Sequence, residues 1–133
     1  MQAQPTTLFT TKSEAFAKYR AGYSKEAIDT ILAPFANQTK ITAVDVGAGT
    51  GIATRLLADQ GAETIGVEPN ASMIRAASPH PNMSFIQSDA ESIPLEDDYA
   101  DVVTSFHAFH WFDFKISLGE FNRILKPAGQ LAL

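Results

Sequence analysis

Val44-Asp45-Val46-Gly47-Ala48-Gly49-Thr50-Gly51 reads as a buried strand that breaks into a glycine-rich turn and then a helix. Glycines at alternate positions remove the Cβ atoms that would keep a ligand away from the backbone. They also tolerate the positive φ values that a tight strand-to-helix turn demands.

Outward from this run the pattern is one of short apolar strands alternating with helical segments, the mark of a doubly wound, Rossmann-like α/β fold. The spacing predicts strands over 41–46, 63–68, 83–87, 100–106 and 129–133, with helices over about 51–60, 70–78 and 115–126. Gly61, Asn70 and the pair Pro127 and Gly129 supply stop, cap and stop signals for those helices. Ile116, Phe121, Ile124 and Leu125 read as the sheet-facing side of the last one. Right-handed crossovers give a parallel sheet of order 3-2-1-4-5 in a three-layer sandwich, with a crevice above the strand ends where the winding reverses. Upstream, residues 1–40 read as an arm, a short helix at Glu14 to Tyr19, and a helix capped by Ser24 that carries Ile28, Ile31, Leu32 and Phe35 and closes at Pro34 and Asn37. Residues 41–133 form the ligand-binding part of what reads as one domain.

Composition narrows the function. The chain has 133 residues, 45% of them hydrophobic and 19% charged, enough for one globular core. A net charge of -5 and scattered basic residues argue against nucleic acid as a partner. The absence of cysteine removes disulfides, thiolate zinc sites and cysteine nucleophiles. The first twenty residues, with Lys12, Glu14, Lys18 and Arg20, do not form a signal peptide, and no apolar run reaches the roughly 20 residues of a membrane span. A cytoplasmic protein is expected.

The glycine loop alone leaves nicotinamide, flavin and S-adenosylmethionine sites open, and spacing discriminates among them. A dinucleotide fingerprint requires Gly or Ala at position 52, where this chain has Ile52, and no Gly-Lys-Ser/Thr follows to make a P-loop. Glu68 closes the second strand about twenty residues after the first glycine, where a carboxylate accepts from both hydroxyls of a ribose. Asp89 follows the third strand, placed to accept from an exocyclic amine such as that of adenine. Asp45 would repel a pyrophosphate but suits a ligand bearing an ammonium and a sulfonium. Asp101 opens a strand and is expected to cap structure rather than do chemistry.

With these residues on the page, the chain resembles a class I S-adenosylmethionine-dependent methyltransferase of the small-molecule group called type 11. The resemblance is carried by Val44 to Gly51, Gly66-Val67-Glu68-Pro69-Asn70-Ala71-Ser72-Met73, Ser88-Asp89-Ala90-Glu91-Ser92-Ile93-Pro94-Leu95 and Arg123-Ile124-Leu125-Lys126-Pro127-Ala128-Gly129. Phe106-His107-Ala108-Phe109-His110-Trp111-Phe112-Asp113 and Tyr19-Arg20-Ala21-Gly22-Tyr23 are similar to relatives of trans-aconitate methyltransferase. The resemblance implies that Gly47, Ala48, Gly49 and Gly51 line the methionine part of S-adenosylmethionine and that Asp45 lies near its amino group. It further implies that Glu68 holds the ribose, that Asn70 and Met73 flank ribose and adenine, and that Asp89 with the Ala90 backbone reads the adenine edge. His107 and His110 are the candidate catalytic groups, facing a small-molecule acceptor such as a carboxylic acid; three residues apart and without a third ligand, they do not suggest a metal site. The family fold continues with two further strands, so the sequence reads as ending at the fifth, as a truncated methyltransferase, a cofactor-binding half-domain, or a homodimer paired along the exposed edge of that strand.

Overall fold

The computed structural model describes residues 24–106 and 113–133. The arm, the helix at Glu14 to Tyr19, Tyr19 to Tyr23, His107 and His110 lie outside these residues. The elements run α1 (Lys25–Leu32), a single 3-10 turn (Ala33–Phe35), β1 (Ile41–Val46), α2 (Ile52–Asp59), β2 (Ala62–Glu68), α3 (Ala71–Ala76), β3 (Met83–Gln87), β4 (Ala100–Thr104), α4 (Phe114–Ile124) and β5 (Leu125–Ala132). The five strands form one parallel sheet in the order β3-β2-β1-β4-β5, the doubly wound arrangement expected from the sequence.

Alternation along the central strands sends side chains to two cores. Ala43 and Val102 face one side, where Ile28, Ile31, Leu32 and Phe35 from α1 and its following turn meet Ala53 and Leu57 of α2. Val44, Val46, Val67 and Val103 face the other, against Phe121 and Ile124 of α4 and against Ala90 and Ile93 from the loop after β3. Each large side chain so buried contributes about 1.5–3 kcal/mol. Ser24 caps α1 by accepting from the Ala27 N–H at 3.0 Å, and Pro34 sits in the 3-10 turn that ends it. Among the described residues no helix is long and apolar enough to cross a membrane.

Three details differ from the sequence reading. Helix α4 ends at Ile124 and β5 begins at Leu125, four residues earlier than expected, because Pro127 drives Lys126 out of helical geometry. Two steps along β4, from Ala100 to Val102, are matched by five along β5, from Leu125 to Gln130. Pro127 falls within this bulge, where no ladder N–H is required. The chain doubles back so closely there that a Cβ on Gly129 would stand 2.6 Å from Leu125 Cδ2. On α4 the buried positions are Ser117, Phe121 and Ile124, so Ile116 falls one position off the core stripe and is exposed. Helix α3 stops at Ala76, short of the expected 78, with Ala77 already extended ahead of Pro79.

Asp101 ties β1 to the start of β5. Its carboxylate accepts from the Thr42 N–H at 2.8 Å and from Lys126 Nζ at 3.2 Å. Burial alone would raise this carboxyl, but Thr42 and Lys126 hold it below the ordinary carboxylate value. Asp101→Ala leaves a buried N–H without an acceptor and is expected to cost about 1–3 kcal/mol at neutral pH. A depressed carboxyl stabilises the fold above its unfolded value and loses that contribution in acid, so urea titrations should show the gap narrowing as pH falls below the ordinary carboxylate value.

Candidate cofactor-binding site

The site is built at the carboxyl ends of β1 and β2. Beyond Val46 the chain turns through Gly47, Gly49 and Gly51 at φ of 73°, 60° and 88°, all values that side-chain-bearing residues rarely adopt. The Gly47 and Ala48 N–H groups both donate to the Val67 carbonyl, at 2.8 and 3.0 Å, and so fold the loop onto β2. Gly51 closes the turn by donating to the Ala48 carbonyl at 2.9 Å, and its own carbonyl accepts from Arg55 to begin α2.

Glu68 is the pivot. Almost fully buried at the end of β2, it accepts from the Gly49 N–H through Oε1 at 2.7 Å and from the Asn70 N–H through Oε2 at 3.0 Å. One carboxylate therefore bridges the glycine loop and the turn into α3, and each oxygen keeps lone-pair capacity for a ligand hydroxyl. Open space lies beside Gly49, where an added Cβ would meet nothing within 4 Å. Asn70 caps α3, its Oδ1 accepting from Ser72 and Met73 N–H at 2.8 and 3.3 Å, so its side chain is engaged by the helix. Met73 presents an exposed apolar surface on the same helix.

Asp45 lies behind the loop rather than in its open side. It is 2% exposed, with Thr54 Oγ1 of α2 donating to Oδ2 and Thr104 Oγ1 of β4 donating to Oδ1, both at 2.8 Å. Burial pushes its carboxyl up to about 6 despite the two hydroxyls, with the nearby Glu68 charge adding to the rise. Asp89 is exposed in the loop that follows β3, while the adjacent Ala90 is buried. The Ser88 N–H donates to the Glu68 carbonyl at 3.2 Å, which brings Asp89 to the same end of the sheet.

The sequence reading missed two features. Phe85 of β3 lies across Gly66 and reaches the loop: a Cβ on Gly66 would fall 2.8 Å from Phe85 Cε2, and one on Gly51 would fall 2.7 Å from Phe85 Cζ. A glycine inside a strand is the signal that another group approaches closely there. Thr54 was the other, a polar residue on the buried stripe of α2 facing an acid in the strand beneath.

Asp45, Glu68 and Asp89 make this end of the sheet acidic, and no ion pair reaches any of the three among the described residues. Such a cradle disfavours phosphate and fits a nucleoside with free hydroxyls and a cationic tail. A shallow cleft of about 350 Å³ opens at the opposite, amino end of the strands, lined by Leu32, Gln38, Thr39, Gln60 and Gly61. None of the described residues expected from the sequence to hold the cofactor borders it.

A family model described as a methyltransferase domain matches residues 44–133. The chain belongs to this methyltransferase-domain family. An uncharacterized methyltransferase of Mycobacterium tuberculosis is 36% identical over 122 residues, covering 90% of this chain and 48% of that protein. A crystal structure of a methyltransferase from an antibiotic biosynthesis pathway of Anabaena variabilis, described there as putative, is 31% identical with a TM-score of 0.71 over 80% of this chain and 44% of that one. A Methanococcus maripaludis structure, described as a putative S-adenosyl-L-methionine-dependent methyltransferase, is 25% identical with a TM-score of 0.66, covering 99% and 66%. This methyltransferase-domain chain spans about half the length of the curated relatives it matches.

Proposed function

We propose that the chain binds S-adenosylmethionine at the carboxyl ends of β1 and β2 and transfers its methyl group to a small-molecule acceptor, a carboxylic acid being the simplest candidate. The observation that carries this reading is Glu68, held by two backbone N–H groups beside the open face of the Gly49 turn. The chemistry S-adenosylmethionine supplies when bound is a methyl group already activated by a positively charged sulfur. The chain then has to hold and align. Glu68 receives the ribose hydroxyls without reorganising, because its rotamer is fixed before a ligand arrives. Asp89 and the Ala90 backbone meet the adenine edge, Met73 covers it, and Asp45 contributes negative potential from behind the loop. An acceptor carboxylate needs no base; a hydroxyl or amine acceptor would use His107 or His110 to take up its proton.

Calorimetry with S-adenosylmethionine, S-adenosylhomocysteine and NAD tests the reading, and binding of NAD alone would overturn it. Glu68→Ala should weaken S-adenosylhomocysteine binding by about 1–3 kcal/mol through loss of charge-assisted hydrogen bonds. An unchanged affinity would remove Glu68 from the site. Transfer of labelled methyl to a panel of small carboxylic acids tests the acceptor class.

A further inference from the structure

Asp89 projects from a stretch, residues 88–99, that joins β3 to β4 without a helix or strand of its own. Backbone hydrogen bonds tie its two ends, from the Ser88 N–H to the Glu68 carbonyl and from the Asp98 and Tyr99 N–H groups to the Arg123 and Ile124 carbonyls, and the span between them needs a further hold. Two side chains one turn apart on α4 provide the hold. Glu120 Oε2 accepts from the Ile93 N–H at 2.6 Å, and Arg123 Nη2 donates to the Ile93 carbonyl at 2.8 Å. The pair is locked internally: Arg123 Nε donates to Glu120 Oε1 at 2.8 Å and Nη2 to Oε2 at 2.9 Å, while Nη1 reaches Asp97 at 2.8 Å. Ile93 thus has both backbone groups gripped as a strand residue would, but by side chains of a helix. Burial of the Ile93 side chain fixes its depth; the two backbone bonds fix the rotation of the loop about it.

Nearer Asp89, the Ser88 hydroxyl donates to the Ser92 carbonyl at 2.8 Å, so the short turn carrying Asp89 and Ala90 is closed onto Ile93. Glu91 Oε2 accepts from the Asp113 N–H at 2.8 Å, a second attachment to the head of α4. Asp89 itself is exposed and has no ion pair among the described residues, so the direction of its carboxylate follows the frame of the loop.

We infer that the Glu120–Arg123 pair is a positioning element for base selectivity: by clamping the Ile93 peptide it aims Asp89 and the Ala90 backbone so that the site prefers a base with an exocyclic amine over one with a carbonyl. The inference rests on the reading of Asp89 and Ala90 given above. Arginine is required because a planar, forked cation reaches Glu120, Asp97 and the Ile93 carbonyl together, which a lysine cannot.

The test compares S-adenosylhomocysteine with S-inosylhomocysteine, in which the exocyclic amine becomes a carbonyl and the adjacent ring nitrogen turns from acceptor to donor, by calorimetry on the full chain. The parent should prefer the adenine form by about tenfold or more, the value of one charge-assisted hydrogen bond. Arg123→Lys should cut that preference at least threefold, and Glu120→Ala should bring it to within about threefold of parity. Glu120→Gln, which keeps an acceptor for the Ile93 N–H, should retain most of it. A merely structural brace would lower the melting temperature and leave the ratio of the two affinities alone. A folded Arg123→Lys or Glu120→Ala chain with the parent ratio overturns the inference, and Arg123→Lys carries the test if Glu120→Ala does not fold. Asp89→Asn separates the two readings: if it leaves the ratio untouched while Arg123→Lys alters it, the assignment of Asp89 fails and the clamp acts through the Ala90 backbone. If neither ligand binds the parent, the cofactor assignment itself falls, and with it this inference.

Discussion

Gly66→Ala is expected to destabilise the chain by about 1–3 kcal/mol, the usual cost of forcing extra volume into a filled site. The new methyl group would stand 2.8 and 2.9 Å from two ring carbons of Phe85 and 3.0 Å from the Ala48 Cβ. The ring has little room to retreat toward the loop, since its far end already fills the space where a Gly51 side chain would be. The alternative, displacement of Ala48, would disturb the backbone that Glu68 and Val67 hold, so ligand affinity should fall with stability. Phe85→Leu in the same chain should recover most of the loss. A double-mutant cycle read by urea denaturation would give a coupling above about 0.5 kcal/mol; additive effects would mean that Phe85 and Gly66 do not meet as described.

Asp45→Asn should make the chain more stable at neutral pH while weakening its hold on a cationic ligand. Burial raises the Asp45 carboxyl from 3.8 to about 6, so between these values the folded chain binds a proton that the unfolded chain does not. Stability contributed by this group therefore falls as pH rises through that window, and above it the ionised carboxylate weighs against the fold by about 3 kcal/mol. Asparagine has no such charge, and the Thr54 and Thr104 hydroxyls can each rotate to donate or accept. The difference in unfolding free energy, variant minus parent, should thus grow between about pH 4 and pH 7 and approach 3 kcal/mol at most. Because Asp101 and Glu120, whose carboxyls are held low, are common to both chains, the difference reports Asp45 together with its interaction with Glu68. A difference that shrinks with rising pH would contradict the buried, ionisable Asp45 described above.

The winding of the fold was legible because its signals are local. Val44 to Gly51 encodes a strand, a turn that only glycines make and a helix start within eight residues, and the alternation downstream repeats that unit. The end of α4 was not, because Ile124 and Leu125 continue an apolar helical stripe while the restriction imposed by Pro127 falls on Lys126, the residue before it. Ile116 and Ser117 show the same limit: both suit a helix, and only packing against the sheet selects the serine for the interior. Gly47, Gly49, Glu68 and Asp89 could be picked out as candidates because each lies at or just beyond the end of a strand. Thr104 lies 59 residues from Asp45, and Phe85 acts on a loop two strands away, so neither relation has a spacing to read. Asn70 carried two meanings in the sequence, helix cap and ligand contact, and its oxygen is committed to the cap.

Phe85 belongs to β3, which is the outermost strand on its side of the sheet among the described residues, yet it underlies the glycine turn at the centre. A peripheral strand opens more readily than an inner one, through fluctuations far smaller than global unfolding. Each time β3 detaches, the turn loses the ring that fills the space between Gly51 and Gly66. Any ligand that needs the turn in its closed shape must then hold β3 in place as well, drawing on its own binding free energy to do so. Occupancy of the centre would accordingly register as slower amide exchange at the rim, in Ser84 to Gln87, beyond the reach of direct contact.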